Sequence, residues 1–213
     1  MPTVATTRME LLAKKAQIAL ARQGRELLEQ KRTALMRELM RVADRVVTSS
    51  EALQQAATEA RAALARAEAV AGSEAVRSAA MATRGELALE VQAATVMGVS
   101  VPVIEQKRVT RSALGRGYSI TGTSVTIDEA AAAFETEVDS LIQLAQSELR
   151  LTRLAAELQR TSRRVNALEQ ILIPRLEAER DFIQMALDER ERTDHFRLKR
   201  IKQARQHKVK GGT

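Results

Sequence analysis

The sequence contains no cysteine, no tryptophan, and only three prolines and nine glycines among its 213 residues. The absence of cysteine excludes disulfides and thiolate metal sites. Only four side chains are aromatic (Tyr118, Phe134, Phe182 and Phe196), whereas a compact globular core of this size normally uses several large rings. A chain with so few turn-forming residues that is rich in Ala, Leu, Glu, Arg and Gln is typical of long helices or coiled coils. These shortages argue against an ordinary enzyme fold.

Long apolar runs are also missing. The first residues lack the continuous apolar region of a secretory signal, and no stretch approaches the roughly 18 uninterrupted apolar residues that a membrane span needs. We therefore expect a cytoplasmic chain without a membrane span of its own.

The charge of the chain is unevenly distributed. Lysine and arginine number 34, and aspartate and glutamate 27, which gives a formal net charge of +7. Residues 197–210 contain seven basic and no acidic residues, and residues 1–32 contain seven basic and three acidic residues. A basic end can be a solvated helix terminus, a tip inserted into a protein collar, or a nucleic-acid-binding element. Because only Phe196 is available nearby for base stacking, composition places nucleic acid last.

Two apolar stripes with alternating spacings of three and four residues dominate the chain. The first runs from about Leu11 to Val70, which predicts a helix of about 93 Å that needs a partner helix. The second begins near Asp128 and continues to the basic tail, with a bend expected at Pro174. The residues expected in the coiled-coil seam are Leu28, Leu35, Leu39, Val42, Val46 and Leu53 in the first helix, and Leu151, Leu154, Leu158, Val165, Leu168 and Leu172 in the second.

The segment between the stripes has a different pattern. Gly72 and Ser73 interrupt the first helix, and residues 74–96 predict one or two short helices. Apolar residues then alternate with polar ones on both sides of a Gly-containing turn, which predicts a β-hairpin. The alternating residues and the turn glycine are Tyr118, Ile120, Gly122, Val125 and Ile127.

These elements predict an all-α fold, a long antiparallel two-helix coiled coil formed by the N- and C-terminal helices. A short helical and β-hairpin insert lies at the far end. The expected segments are residues 1–71, 72–127 and 128–213, forming one structural unit. A crude register that pairs residue i with about 200 − i brings Arg25 close to Arg175 and Glu179.

No segment indicates a catalytic, cofactor-binding or metal site. Gly115 and Gly117 are not followed by Gly-Lys-Ser/Thr, so a turn is favoured over a phosphate loop. His195 and His207 are isolated in a charged tail, and the acidic residues near them lie among arginines, as in a salt-bridged helix face. We expect no catalytic residue, no cofactor and no metal.

Residues 160–202 resemble the C-terminal signature of the D subunit of the V-type and A-type rotary ATPases and ATP synthases. The matching segments are RRVNALE at 163–169, IPRL at 173–176, ERE at 189–191 and RLK at 197–199. The segments TRMELL at 7–12, VPVIE at 101–105 and RGYSITGTS at 116–124 are also similar to that family. The resemblance covers nearly the whole chain in the expected order.

This resemblance implies the central rotor shaft of a proton- or sodium-translocating ATPase or ATP synthase, which transmits torque between the membrane ring and the catalytic head without being catalytic itself. It implies one copy per complex, in the cytoplasm and peripheral to the membrane. The implied partners are the catalytic A and regulatory B subunits of the head, the small F subunit of the stalk and the funnel-shaped C/d subunit on the membrane ring. The hairpin would influence ATPase activity. Contacts with the head collar are expected at Arg8, Lys14, Arg190, Arg197, Lys199, Arg200 and Lys202.

Two other classes of function remain open. The first is a chaperone-like or scaffolding coiled coil, which would be present in several copies per assembly where a shaft is present in one. The second is a basic nucleic-acid-binding protein, which would bind DNA or RNA with a steep dependence on salt. The resemblance favours neither, and no nucleic-acid partner is expected.

Overall fold

The structure is a computed structural model that describes residues 5–83, 89–106, 115–119 and 122–210. Most of these residues are helical, in two long helical segments separated by a short insert, which confirms the predicted fold class. The helices are α1 (Arg8–Ala71), α2 (Ser73–Ala82), α3 (Val125–Ala167) and α4 (Ile173–Lys210), with a π turn (Leu168–Leu172) between the last two. The strands are β1 (Leu89–Val96) and β2 (Val99–Gln106).

Local hydrogen bonds define both ends of α1. The Thr7 hydroxyl accepts a hydrogen bond from the backbone N–H of Glu10 at 3.2 Å, which satisfies one of the free donors of the first turn. At the other end Gly72 has a φ of 83°, a left-handed conformation that glycine adopts without steric cost. Its N–H donates to the carbonyl of Glu68 at 3.0 Å, so α1 ends at Ala71 and α2 begins at Ser73.

The chain forms two compact units. The first, here called the terminal unit, combines Met1–Arg32 with Arg160–Thr213. The second, here called the middle unit, consists of Thr33–Gln159. Helices α1 and α3 contribute residues to both units.

In the terminal unit, α1 pairs antiparallel with the chain from α3 to α4. Lys14 Nζ lies 2.8 Å from Glu179 Oε2, and Arg25 Nη1 lies 3.3 Å from Glu169 Oε1. Glu179 thus faces Lys14 and not Arg25, so the expected proximity was wrong, and the observed register differs from the expected one by about one heptad. A shift of one heptad places the same seam positions opposite each other, so the apolar stripe alone does not distinguish the two registers.

The π turn lies directly before Pro174, the second residue of α4. Proline has no N–H and its ring crowds the carbonyl four residues earlier, which is Gln170 in the middle of the turn. The wider turn changes which side chains face the partner helix. Leu172, which was expected in the seam, is 41 % exposed, and Ile173 is buried in its place.

The middle unit contains two apolar clusters. In the first, Leu35 and Val42 of α1 and Leu154 of α3 pack with Val99 and Val101 of β2. The second joins α1, α2 and the start of α3, and its buried residues are Ala63, Ala67, Ala79, Ile127 and Ala130. The hairpin therefore packs against the Leu- and Val-rich part of the helices, away from the Ala-rich second cluster.

The hairpin lies elsewhere in the chain than the sequence predicted. Strands β1 and β2 are antiparallel, with Val96 opposite Val99 and with Met97 and Gly98 forming the turn. Both turn residues have positive φ values, 52° and 78°, as a two-residue type I′ turn requires. Residues 89–96, which were expected to be helical, thus form a strand.

The predicted hairpin over residues 118–127 was wrong. Val125 and Ile127 lie in the first turn of α3, Tyr118 and Gly122 lie in the turns before it, and Ile120 is outside the described residues. Ser124 precedes the helix, and its carbonyl accepts a hydrogen bond from Ile127 N at 3.0 Å. This contact and the following alanines favour a helix over the β preference of Val125 and Ile127. Helix α3 accordingly begins three residues before the expected Asp128.

Candidate functional site

The basic residues expected to contact a collar fall into two groups in the terminal unit. Three of them join its helices. Arg8 pairs with Glu191, Lys14 pairs with Glu179, and Arg190 donates to the Thr6 carbonyl at 3.0 Å and to its hydroxyl at 2.7 Å. The second group belongs to the distal part of α4 and is exposed: Arg197, 3.9 Å from Asp194, and Lys199, Arg200 and Lys202. Of the first group only Lys14 is enclosed, because the Arg8 side chain is 80 % exposed and Arg190 is exposed as well.

The Lys14–Glu179 pair is the most enclosed of these contacts, because each side chain is only about one-sixth exposed. The hydrogen bond from Lys14 holds the pKa of the Glu179 carboxyl below its ordinary value, and the hydrogen bond from Arg175 acts in the same direction. Glu179 is therefore charged at neutral pH and links α1 to α4.

Large apolar side chains are exposed on both helices of the terminal unit, and on each helix several of them share one arc. On α1, residues 9, 12, 20 and 27 fall within an arc of about 80° at 3.6 residues per turn. On α4, residues 182, 185 and 196 share a similar arc. These side chains, which we call the outer apolar face, are Met9, Leu12, Leu20, Leu27, Phe182, Met185 and Phe196, and each is more than half exposed. Exposed apolar side chains that align in this way mark protein interaction surfaces.

The seam residues predicted from the stripes differ in burial. Leu35, Val42, Leu154 and Val165 are buried. The half-buried ones are Leu28, Leu39, Val46, Leu53, Leu151, Leu158 and Leu168. Leu172 is exposed because the π turn changes which side chains face the partner helix.

A buried polar cluster in the middle unit has no counterpart in the sequence predictions. Arg116 donates from Nε and Nη2 to the two carboxylate oxygens of Glu135 at 3.1 and 3.0 Å. Its Nη1 donates to the carbonyl and to Oδ1 of Asp128, at 3.2 and 3.1 Å. Tyr118 completes the cluster by donating to the same Asp128 oxygen at 2.7 Å. The four side chains fasten the turn at residues 115–119 to the first three turns of α3.

The electrostatics of this cluster follow from its geometry. The paired hydrogen bonds to Glu135 raise the pKa of Arg116 above its ordinary value. Burial, and then the hydrogen bond to Asp128, raise the pKa of the Tyr118 hydroxyl. Both pKa shifts favour a charged Arg116 and a neutral Tyr118 at neutral pH, which indicates a structural fastening and not a proton-transfer site.

An open cleft of about 400 Å³ lies beside this cluster. Its walls come from α1, α2 and α3 and are mainly apolar, including Leu64, Val76, Phe134 and Val138. Within the described ranges, no three His, Asp or Glu side chains are grouped so that they could hold a metal ion. None of the helices in the same ranges is both long enough and apolar enough to cross a membrane.

Comparison with known proteins gives a consistent result over most of the chain. Residues 10–203 match the model of the family described as the ATP synthase D subunit. The chain is 44 % identical over 199 residues to the D subunit of the A-type ATP synthase of Thermococcus gammatolerans, a match that covers 93 % of each chain. It is 43 % identical over 196 residues to the protein of the same name from Methanobrevibacter smithii, covering 92 % of this chain and 85 % of that one. The Thermococcus kodakarensis protein is likewise 44 % identical over 199 residues.

Proposed function

The chain belongs to the ATP synthase D subunit family, and from that premise we propose that it is the shaft of the central stalk of a rotary A-type ATP synthase. In this role it transmits torque between a membrane ring and a catalytic head, and it contributes no catalytic residue of its own. One copy serves each complex. Whether the complex moves protons or sodium ions depends on other components of the complex.

The outer apolar face of the terminal unit is the observation that supports this role. Leu20 of α1 and Phe182 of α4 remain mostly exposed, whereas Ile18 and Ile183 of the same helices are buried in the core of the helix pair. Apolar side chains that are not needed for the internal core lower the free energy of the chain when a protein partner covers them. A ring of head subunits that surrounds the helix pair provides such a cover from several sides.

The collar contacts of the shaft must not hold it in a single orientation. Exposed ion pairs are individually weak, typically about 0–1 kcal/mol, so the basic residues of distal α4 can exchange acidic partners on successive A and B subunits. The shaft can bias the states of the head only through contacts that differ between those states. Two antiparallel helices with different side chains present a different face to each surrounding head protein, which gives this asymmetry.

The middle unit is proposed to carry the remaining partners, the small F subunit of the stalk and the funnel-shaped C/d subunit. The regulatory role expected for a hairpin is transferred to strands β1 and β2, which form the hairpin of the described structure. Tyr118 and Ile127 instead pack in the second cluster, and Val125 is exposed, so none of the three is proposed as a regulatory residue.

Reconstitution with defined copy number tests the proposal. The purified chain is mixed with the A and B subunits of the head, and the mass of the assembly is measured by native mass spectrometry. One copy of the chain per ring is expected. Several copies would support the chaperone-like or scaffolding alternative, and a failure to join the ring would refute the shaft role. Salt-dependent binding of DNA or RNA in a parallel titration would support the nucleic-acid alternative.

A further inference from the structure

The core of the terminal unit is interrupted at one level of its helix pair. On α1, Ile18 is buried, but none of residues 19–32, all of which the structure describes, is buried. On the opposite chain, Val165 and Ile173 are buried, but none of residues 166–172, all likewise described, is buried. The salt bridge from Arg25 to Glu169 places these two stretches opposite each other. At this level the helix pair therefore has half-buried apolar side chains such as Leu28 and Leu168 but no fully buried one on either side.

The backbone is also weakest at this level. Gly24 lies inside α1, where glycine disfavours the helix relative to alanine. A Cβ atom at Gly24 would have no neighbour within 4 Å, so close packing does not require glycine at this position. On the other side, the π turn and Pro174 replace regular α-helical hydrogen bonds. Each helix thus has its irregularity opposite that of its partner.

The contacts that bridge this level are polar and partly exposed. Arg25 Nη1 lies 3.3 Å from Glu169, and both side chains are more than one-third exposed. Arg22 pairs with Glu177, and the Arg22 side chain is mostly exposed. The Nε atom of Arg25 is buried without a hydrogen-bond acceptor among the described residues. Exposed ion pairs hold side chains loosely, and an unpaired buried donor is unfavourable, so neither replaces a fully buried apolar side chain.

We propose that residues 22–28 of α1 and the π turn at residues 168–172, here together called the compliant segment, are a built-in site of twisting and local opening in the shaft. The segment lies between the parts of the terminal unit that are held by Leu11, Ile18 and Ile183 on one side and by Thr161 and Val165 on the other. Twist applied to the helix pair is taken up where the fewest buried contacts resist it. The twisting role rests on the proposed shaft function, whereas the local weakness is a property of the free chain.

Hydrogen–deuterium exchange of the full-length chain tests the weakness directly. Amides of residues 22–28 and 168–172 are expected to exchange at least about tenfold faster than those of 35–42 and 176–183, because one fully buried aliphatic side chain shifts local opening by that factor or more. Gly24→Ala is expected to slow exchange in the compliant segment about fivefold. The matched control is Gln23→Ala at the exposed neighbouring position, with an expected change of about twofold or less. Equal protection in all four stretches, or equal effects of the two substitutions, would overturn the proposal.

A second measurement tests the twisting in the assembled complex. The head is immobilised and held in one nucleotide state. A probe is fixed to the part of the chain that extends outside the head, and the spread of its angles is recorded. Gly24→Ala should narrow the spread relative to Gln23→Ala, and an equal spread would refute the twisting role. If the chain does not assemble with the head at all, the shaft function fails, whereas the exchange pattern of the free chain is still judged by itself.

Discussion

Substitutions at two adjacent residues of α4 are expected to distinguish the stability of the helix pair from its proposed interaction with the head subunits. Ile183 is 0 % exposed in the core of the terminal unit, whereas Phe182 is 54 % exposed on the outer apolar face. Ile183→Ala removes buried methyl and methylene groups, and we expect a loss of about 2–5 kcal/mol in the free energy of unfolding. Phe182→Ala removes a side chain that is half in water, and we expect a loss of about 1 kcal/mol or less.

The order of these effects reverses for binding to the head. A phenylalanine side chain can bury roughly 200 Å², so the exposed half of Phe182 offers about 100 Å² to a partner. At about 25 cal/mol per Å², full coverage contributes up to about 2.5 kcal/mol, or roughly a sixtyfold change in affinity. We therefore expect Phe182→Ala to weaken binding to the A and B subunits by as much as this factor while leaving the helices folded.

Urea unfolding followed by helical circular dichroism gives the stability, and titration of the chain onto immobilised head subunits gives the affinity. Gln17→Ala, exposed on α1 and outside the arc of the outer apolar face, serves as the control for both. The reasoning is refuted if Phe182→Ala binds the head as tightly as the unmodified chain. It is also refuted if Ile183→Ala leaves the unfolding midpoint unchanged.

Three further predictions concern the packing and the ion pairs. Arg116→Met leaves Glu135 and Asp128 without their buried partner and should destabilise the middle unit by about 3 kcal/mol in thermal unfolding; adding Glu135→Leu should recover part of this loss, and no recovery would contradict the pairing. The pKa of Glu179 lies below its ordinary value of 4.5, so the unfolded chain binds more protons than the folded one below that pH. Stability should therefore fall as the pH drops from about 4.5 through the folded-state pKa, and Glu179→Gln should flatten that part of the acid-unfolding curve; an unchanged curve would argue against the Lys14 pair. Leu154→Ala, at a fully buried position, should cost about 3 kcal/mol in urea unfolding, and a loss below about 1 kcal/mol would mean that the first cluster does not support the hairpin.

The long helices could be predicted from the sequence because their signal is periodic and repeated. Alternating spacings of three and four residues place Leu35 and Val42 on the same face, and each further repeat reinforces the same assignment. The register could not be predicted, because every shift by one heptad preserves that face. The exposure of Leu172 was missed because it depends on the π turn before Pro174, where one wider turn changes the phase of the stripe.

The insert was harder to read because its signals are short and compete with each other. Residues 89–96 contain Ala93 and Ala94, which are good helix formers, and the turn at Met97 and Gly98 lacks the usual Asn or Asp. Residues 89–96 form a strand because they pair with β2, where Val99 and Val101 are buried against the helices. Side-chain packing against a neighbouring element outweighs such weak local preferences.

The Arg116 cluster was missed for a different reason. Asp128 and Glu135 are seven residues apart and therefore share one face of α3, which was a detectable signal once that helix was expected. The partner of these acids is an arginine between two glycines that the sequence indicated only as a turn. A contact between a turn and a helix face has no periodic pattern, so only the three-dimensional arrangement reveals it.

Rotation of the chain relative to the head tests the central proposal most directly. A probe is attached to the exposed part of the chain in a complex whose A and B subunits are fixed to a surface, and its orientation is followed while ATP is hydrolysed. The proposed shaft role predicts stepwise rotation of the probe in one direction, driven by ATP. A probe that stays fixed relative to the head while hydrolysis continues would contradict it.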